Sequence, residues 1–235
     1  MDDVRTRCTI AATEALLKMG QSAEHVEAFL QSHYQFGTLA EAETAFANAK
    51  DASTNTSVTE ALSLCKTVLA ECLNCLAVVK RWVQLHVPQI EDGNNFGVQI
   101  QYEVTKSLTE RAKELKTLLD ELHKYPSERV ALLKDVVPTA SATSTNTTGH
   151  SESKGGEKDE TKDTSSTSNE ETVTTPSPLD DSVAAVAALD ARWYYHTYYV
   201  LMECCTVQYT MIDVVAKNRE KIEFPKGKSS SMYSM

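Results

Sequence analysis

An all-α fold, an up-down four-helix bundle, is what this sequence predicts, and three observations lead there. Apolar residues recur at three- and four-residue spacing through most of the chain's 235 residues. The six prolines and eight glycines are few and clustered, which leaves room for long helices. The one long stretch nearly free of large apolar residues, about 139–182, falls between helical segments. The expected divisions are 1–138 for three helices, 139–182 for the insertion, 183–224 for the fourth helix and 225–235 for a tail.

Residues 3 to about 50 place Ile10, Ala11, Leu16, Leu17, Val26, Phe29, Leu30 and Tyr34 at helical spacing. Gly20-Gln21-Ser22 and Gly37-Thr38 interrupt them, so one bent helix or two or three shorter ones are expected. The polar stretch 51–57 breaks the chain, and Ser57 or Thr59 is the expected cap of the next helix. Helix two, about 59–86, is the most apolar. Leu62, Leu64, Val68, Leu69, Leu73, Leu76, Val79, Trp82 and Val83 cover more than one face, which requires burial among several neighbours.

Helix three runs from Val98 toward Val137 along a seam of Val104, Leu108, Leu115, Leu118, Leu122, Tyr125, Val130, Leu133 and Val136. Pro126 lies in that seam and removes one backbone hydrogen bond, so a kink is expected there, not a stop. Residues 139–182 are rich in Ser, Thr, Gly and charge, a composition that buries too little to fold and is expected to be disordered. They hold nine acids and three lysines, six of the chain's ten net negative charges. Helix four, about 181–224, carries Val183, Val186, Leu189, Trp193, Tyr194, Tyr198, Leu201, Met202, Val207, Met211, Val214, Val215 and Ile222, and Pro225 ends it. Lys226 to Ser231 then form a tether, and Met232, Tyr233, Ser234 and Met235 give it a less polar tip.

Composition narrows the function. With a net charge of −10 and no dense basic patch, nucleic acid is not an expected partner. No apolar run is expected to reach the roughly 18 to 20 residues that span a bilayer, so no membrane is expected either. The opening Met1-Asp2-Asp3-Val4-Arg5 lacks the pattern of a secretory signal, and six cysteines then read as reduced thiols of a cytoplasmic or nuclear protein. Cys72 and Cys75 have the CxxC spacing of redox or zinc sites, but mid-helix and without further ligands they read as core, like Cys204 and Cys205. His86 and His196 read as packing residues, the latter at a core or interface position. No nucleophile–base pair and no GxxxxGK[ST] loop is present, so neither an enzyme nor a nucleotide, metal or other cofactor is expected.

What stands out is the connection between helices two and three, residues 87–97. Pro88 biases Val87 away from the α region. Asp92-Gly93-Asn94-Asn95 tolerate left-handed angles and bond their own main chain. Ile90 and Phe96 flank this tip and are expected to anchor it. The expected product is a short stiff loop presenting Glu91, Asp92, Asn94 and Asn95. The adjacent acids cannot flank a substrate as acid and base would, which leaves surface recognition. The cluster Trp193-Tyr194-Tyr195 with Tyr198-Tyr199 divides, on its spacing, between core and subunit interface.

The run Trp82-Val83-Gln84-Leu85, Val87-Pro88 and Ile90 to Val98 resembles the activation loop of the 11S (REG, or PA28-type) proteasome activators, most nearly the gamma type. Lys124-Tyr125, Ser127-Glu128-Arg129, Tyr209, Asp213, Lys217-Asn218, Glu220-Lys221-Ile222 and Pro225 continue the similarity. The resemblance implies a non-enzymatic, ATP-independent activator of the core proteasome. It implies a homo-oligomer, a heptameric ring with a central channel, seated on the proteasome α-ring. The tail residues Met232, Tyr233, Ser234 and Met235 would dock it. The loop residues Pro88, Glu91, Asp92, Gly93, Asn94, Asn95, Phe96 and Gly97 would open the gate, Asn94 foremost. Two features depart from the family: the insertion follows helix three where vertebrate members carry theirs after helix one, and the tail ends in Ser234-Met235 in place of a terminal tyrosine. The alternative reading is a helical scaffold or adaptor using the same loop on another partner.

Overall fold

The computed structural model describes residues 2–48, 54–89, 95–136 and 180–227, which among them hold six α-helices and no strand. The insertion expected at 139–182 lies almost wholly outside the described residues. The first helix, α1 (Asp2–His33), is continuous through Gly20. Ala12, Ala15, Met19, Ala23, Val26 and Leu30 are buried along one stripe, so nothing in the packing calls for a break at the glycine. The chain leaves the helix at Tyr34 and re-enters it as α2 (Leu39–Asn48). Thr38 Oγ1 accepts from Glu41 N–H at 3.3 Å while Glu41 Oε2 accepts from Gly37 N–H at 2.9 Å, an arrangement close to a capping box.

α3 (Thr56–Leu85) starts at Asn55, whose Oδ1 accepts from Val58 N–H at 3.2 Å. The cap is therefore neither Ser57 nor Thr59. The Thr59 hydroxyl bonds Asn55 O at 2.8 Å and is occupied as a helix-interior back-bond. By length and apolarity α3 could cross a membrane, contrary to the expectation of no such run. In the fold, α1, α4 and α6 all pack on it. It buries twelve residues from Val58 to Val83 and so serves as the core helix of the bundle.

The third rod is α4 (Phe96–Glu121) followed by α5 (Lys124–Val136), and here the expected kink is a break. Pro126 has no N–H for Leu122 O, and its ring crowds that carbonyl. The helix therefore ends at Leu122, whose N–H bonds Leu119 O at 3.3 Å. It restarts with Pro126 in the first turn of α5, where a missing N–H leaves no bond unmade. The fourth rod, α6 (Asp180–Glu223), is 44 residues long. α3 and α6 touch each other and both touch α1 and α4, while α2 and α5 pack on α6.

One end of the bundle gathers the start of α1, the end of α3, the start of α4 and the end of α6. Trp82 Nε1 donates to Thr9 Oγ1 at 3.1 Å there. The other end is held by polar and aromatic ties. Tyr194 Oη donates to His33 O and accepts from Gln35 N–H, both at 2.9 Å, and Tyr195 Oη donates to Phe36 O at 2.9 Å. Phe36, Phe46 and Tyr34 ring the Tyr194 side chain at centroid distances of 4.7–5.8 Å. Trp193 and Tyr194 are thus core, Tyr195 and Tyr198 are half-buried, and only Tyr199, at 65% exposure, points outward.

Candidate functional site

The stems of the 87–97 connection are fixed in different ways. α3 tightens as it ends, with His86 N–H to Val83 O at 3.1 Å and Val87 N–H to Gln84 O at 3.3 Å. His86 Nδ1 lies 2.9 Å from Trp82 O and its ring rests on Trp82, so it is a packed helix-end histidine. Pro88 follows, half-buried. On the far stem, exposed Asn95 is the N-cap of α4. Its backbone O accepts from Gln99 N–H at 3.0 Å, and its side chain makes no capping bond. Glu91, Asp92, Gly93 and Asn94, with Ile90, lie outside the described residues, as do Met232, Tyr233, Ser234 and Met235.

Phe96, expected to anchor the loop tip, is 62% exposed. Helical rotation turns it outward and brings the next residue, Gly97, to the inside. A Cβ at Gly97 would stand 2.1 Å from Pro225 O and 2.5 Å from Pro225 Cα, a backbone contact only glycine permits. The root of the tail therefore lies directly against the root of the loop. Beyond it, Pro225 ends α6, and Gly227 N–H closes a turn on Phe224 O at 3.0 Å with Gly227 at φ 85°.

One turn further along α4 is a residue that the sequence reading passed over. Gln101 is completely buried. Its Nε2 donates to His86 O at 2.9 Å, the end of α3, and to Ile222 O at 2.7 Å, the last turn of α6. The amide can stand only this way round, because the reverse would set Oε1 against two carbonyl oxygens. Oε1 itself has no hydrogen-bond partner among the described residues. Such an orphan costs about 1–3 kcal/mol, set against two bonds to carbonyls at the ends of helices, where intrahelical donors run out. The signal was available: counting back from Val104 by three and then four reaches Gln101 and Gly97, two non-apolar residues in an apolar seam.

Of the later sequence blocks, Ile222 and Pro225 meet the loop stems, and the others find their roles at some distance from the loop. Tyr125 Oη donates to Asp190 Oδ1 at 2.9 Å, and Arg129 Nε reaches both oxygens of Asp190 at 3.1 and 3.3 Å, all buried. Glu128 Oε2 accepts from Arg192 at 2.8 Å and from Trp193 Nε1 at 3.0 Å. These bonds fasten α5 to α6 at the end opposite the loop. Lys217 pairs with Asp213, and Tyr209 Oη donates to Glu27 Oε2 at 3.1 Å.

The cysteines of α3 and α6 are core. Cys65, Cys72 and Cys204 are buried, and burial pushes the Cys65 thiol up to about 12. Cys204 is raised further by its contact with the Cys72 thiol and by burial. Such thiols are poor nucleophiles. No cluster of three metal-ligating side chains occurs among the described residues.

Residues 51–143 and 170–232, well over half the chain, match the family described as proteasome activator PA28, C-terminal. Proteasome activator 28 of Dictyostelium discoideum is 32% identical over 84 residues, 36% of this chain and 37% of that protein. Proteasome activator complex subunit 3 of Homo sapiens is 26% identical over 152 residues, 65% of this chain and 45% of its own length. The aligned regions span less than half the length of these curated relatives. The 11S subunit of the Plasmodium falciparum proteasome, PA28, shares the fold at a TM-score of 0.61 and 21% identity, over 96% of this chain and 92% of that one. A chain from a 1.9 Å structure of a proteasome-11S activator complex does so at 0.52 and 12% identity, over 99% and 92%. With a match that takes in α3 to α5, both loop stems and α6, the chain belongs to the proteasome activator PA28 family.

Proposed function

We propose that this chain is a non-enzymatic, ATP-independent activator of the core proteasome. It works as a homo-heptameric ring on the α-ring, holding on by its tails and opening the gate with its loops. The observation that carries the reading is the common root of loop and tail, where Gly97 meets Pro225 and Gln101 bonds the loop's entry stem and the tail root. A device that must grip and push on one surface needs both working parts at one end of its body. Tails that each bind weakly gain about 10²–10⁴ in avidity when several act on one ring. The loops can bias a gate only by favouring its open form.

Ring assembly is supported by apolar residues that one protomer leaves outside. Ile10 and Leu17 on α1 are 55% and 64% exposed. Tyr199, Met202 and Tyr209 lie along one face of α6. Side-by-side contact would cover both faces. In this reading the protein acts in the cytoplasm, the nucleus or both.

The test is direct. Purified protein, mixed with core proteasome and a fluorogenic peptide without ATP, raises hydrolysis several-fold, and native mass spectrometry gives seven copies. A monomer that leaves cleavage unchanged removes the reading. Asn94→Tyr keeps ring and docking but returns hydrolysis to the rate of proteasome alone; full stimulation by that variant would move the activating role off the loop. Removing residues 229–235 abolishes co-sedimentation with the proteasome and leaves the ring assembled. A complex that survives the deletion places the affinity elsewhere.

A further inference from the structure

We propose that Gln101 is a positioning residue that couples the docking tail to the loop, so that the pull of a bound tail sets the loop's height. The inference rests on the activator reading and adds a part that neither tail nor loop supplies. Tail and loop are distant in sequence, and a flexible joint between them would let the tail bind while the loop yields. The joint is instead short and stiff. Ile222 O, three residues before Pro225, accepts from Gln101 Nε2 at 2.7 Å. The same nitrogen donates to His86 O at 2.9 Å, two residues before Pro88. Gln101 belongs to α4, whose N-cap is Asn95 and whose first residue is Phe96. One buried amide therefore ties the entry stem, the exit stem and the tail root.

Gly97 closes the same joint from the other side. Its α-carbon sits against the backbone of Pro225, with no room for a methyl group and none for sliding. Two independent contacts thus remove the two easiest motions, separation of α6 from α4 and slippage of one along the other. Interiors packed this closely pass displacement on without absorbing it. Trp82, Leu108, Leu115 and Met211 fill the adjoining core, and all are buried.

The experiment separates coupling from folding by titrating activator against a fixed amount of core proteasome. Gln101→Met keeps length and volume but donates nothing, and Gly97→Ala pushes Pro225 away while sparing the amide. Each variant is first checked for ring assembly and helicity. Loss of coupling lowers maximal stimulation at least fivefold at saturating activator, with the half-saturating concentration within twofold of wild type. A purely structural role does the opposite, raising the half-saturating concentration while the plateau is kept, and that result overturns the proposal. Failure of both variants to assemble also overturns it, since the seam would then belong to folding. Hydrogen exchange on the isolated ring gives a second readout: the Gln99 amide, bonded to Asn95 O, exchanges at least tenfold faster in Gln101→Met. Unchanged exchange and an unchanged plateau together remove the coupling alone. Wild-type protein that docks nowhere and stimulates nothing removes the activator reading, and the coupling with it.

Discussion

Asp190 accepts from Tyr125 and Arg129 in a site where Asp190 is only 3% exposed. A buried pair is not a reliable source of net stability, but removing Asp190 takes from Tyr125 and Arg129 the buried carboxylate to which both donate. The expected loss is about 3–5 kcal/mol. Asp190→Ala should therefore lower the urea midpoint sharply, and a loss below about 1 kcal/mol would mean that Arg129 finds water or another acceptor. The Tyr125 hydroxyl is held protonated by burial first and by the Asp190 charge second, so it stays a donor throughout the usable pH range. At this scale the sequence was half legible. Tyr125, Glu128 and Arg129 were marked by family resemblance, and no spacing rule pointed to Asp190 as their partner. Gln101 was legible in principle, as a polar residue in seam register, yet its meaning depends on two carbonyls from helices remote in sequence. Gly97 was grouped by resemblance with the gate-opening loop, and its contact with Pro225 is a fact that only the fold contains.

Helix existence was plain from the three- and four-residue pattern, and helix ends were not. Gly20 and Gly37 looked alike as breaks, but only the second coincides with a cap of hydroxyl and carboxylate, on Thr38 and Glu41. Pro126 was read as a kink because the family-like residues Lys124, Tyr125 and Ser127-Glu128-Arg129 persist around it. Leu122 and Tyr125 are buried ahead of the proline, but Val130, expected in the seam beyond it, is 53% exposed, and two helices divide the stretch. Asn55 was overlooked as a cap beside Ser57 and Thr59, all three being capable types. Asn55→Ala should cost about 1 kcal/mol by thermal melting, whereas Ser57→Ala should cost much less. Equal losses would mean that the cap moves between them. The α3–α6 seam makes a sharper claim. Cys65, Cys72 and Cys204 lie inside it, with Cys65 pushed up by burial to about 12. Maleimide at neutral pH should label half-buried Cys8 first and these three only as the bundle unfolds, as followed by mass spectrometry across a urea series. Labelling of Cys72 in the folded protein would show that α3 and α6 separate far more often than their packing allows.

The assembled molecule brings its ends and faces to bear on one another, and His196 is where pH reaches them. It sits on α6, half-buried, its ring 4.9 Å from that of Trp193 and beside outward-facing Tyr199 and Met202. Burial lowers its pKa below the ordinary 6.5, Arg192 and Lys124 add to that, and Glu121 opposes them. The unfolded chain therefore takes up this proton before the folded one does. The stabilisation is complete above pH 6.5 and is lost as pH falls from there toward the folded-state value, below which the curve flattens. If the α6 face also forms the contact between protomers, closing the ring buries the imidazole further and steepens the loss. His196→Gln should give a flatter stability profile between pH 7 and 5 than wild type, in melts of the ring and of dilute protomer alike, with the larger difference in the ring. An identical difference in both would confine His196 to the core of one protomer and send the search for ring contacts to the rest of the α1 and α6 surfaces.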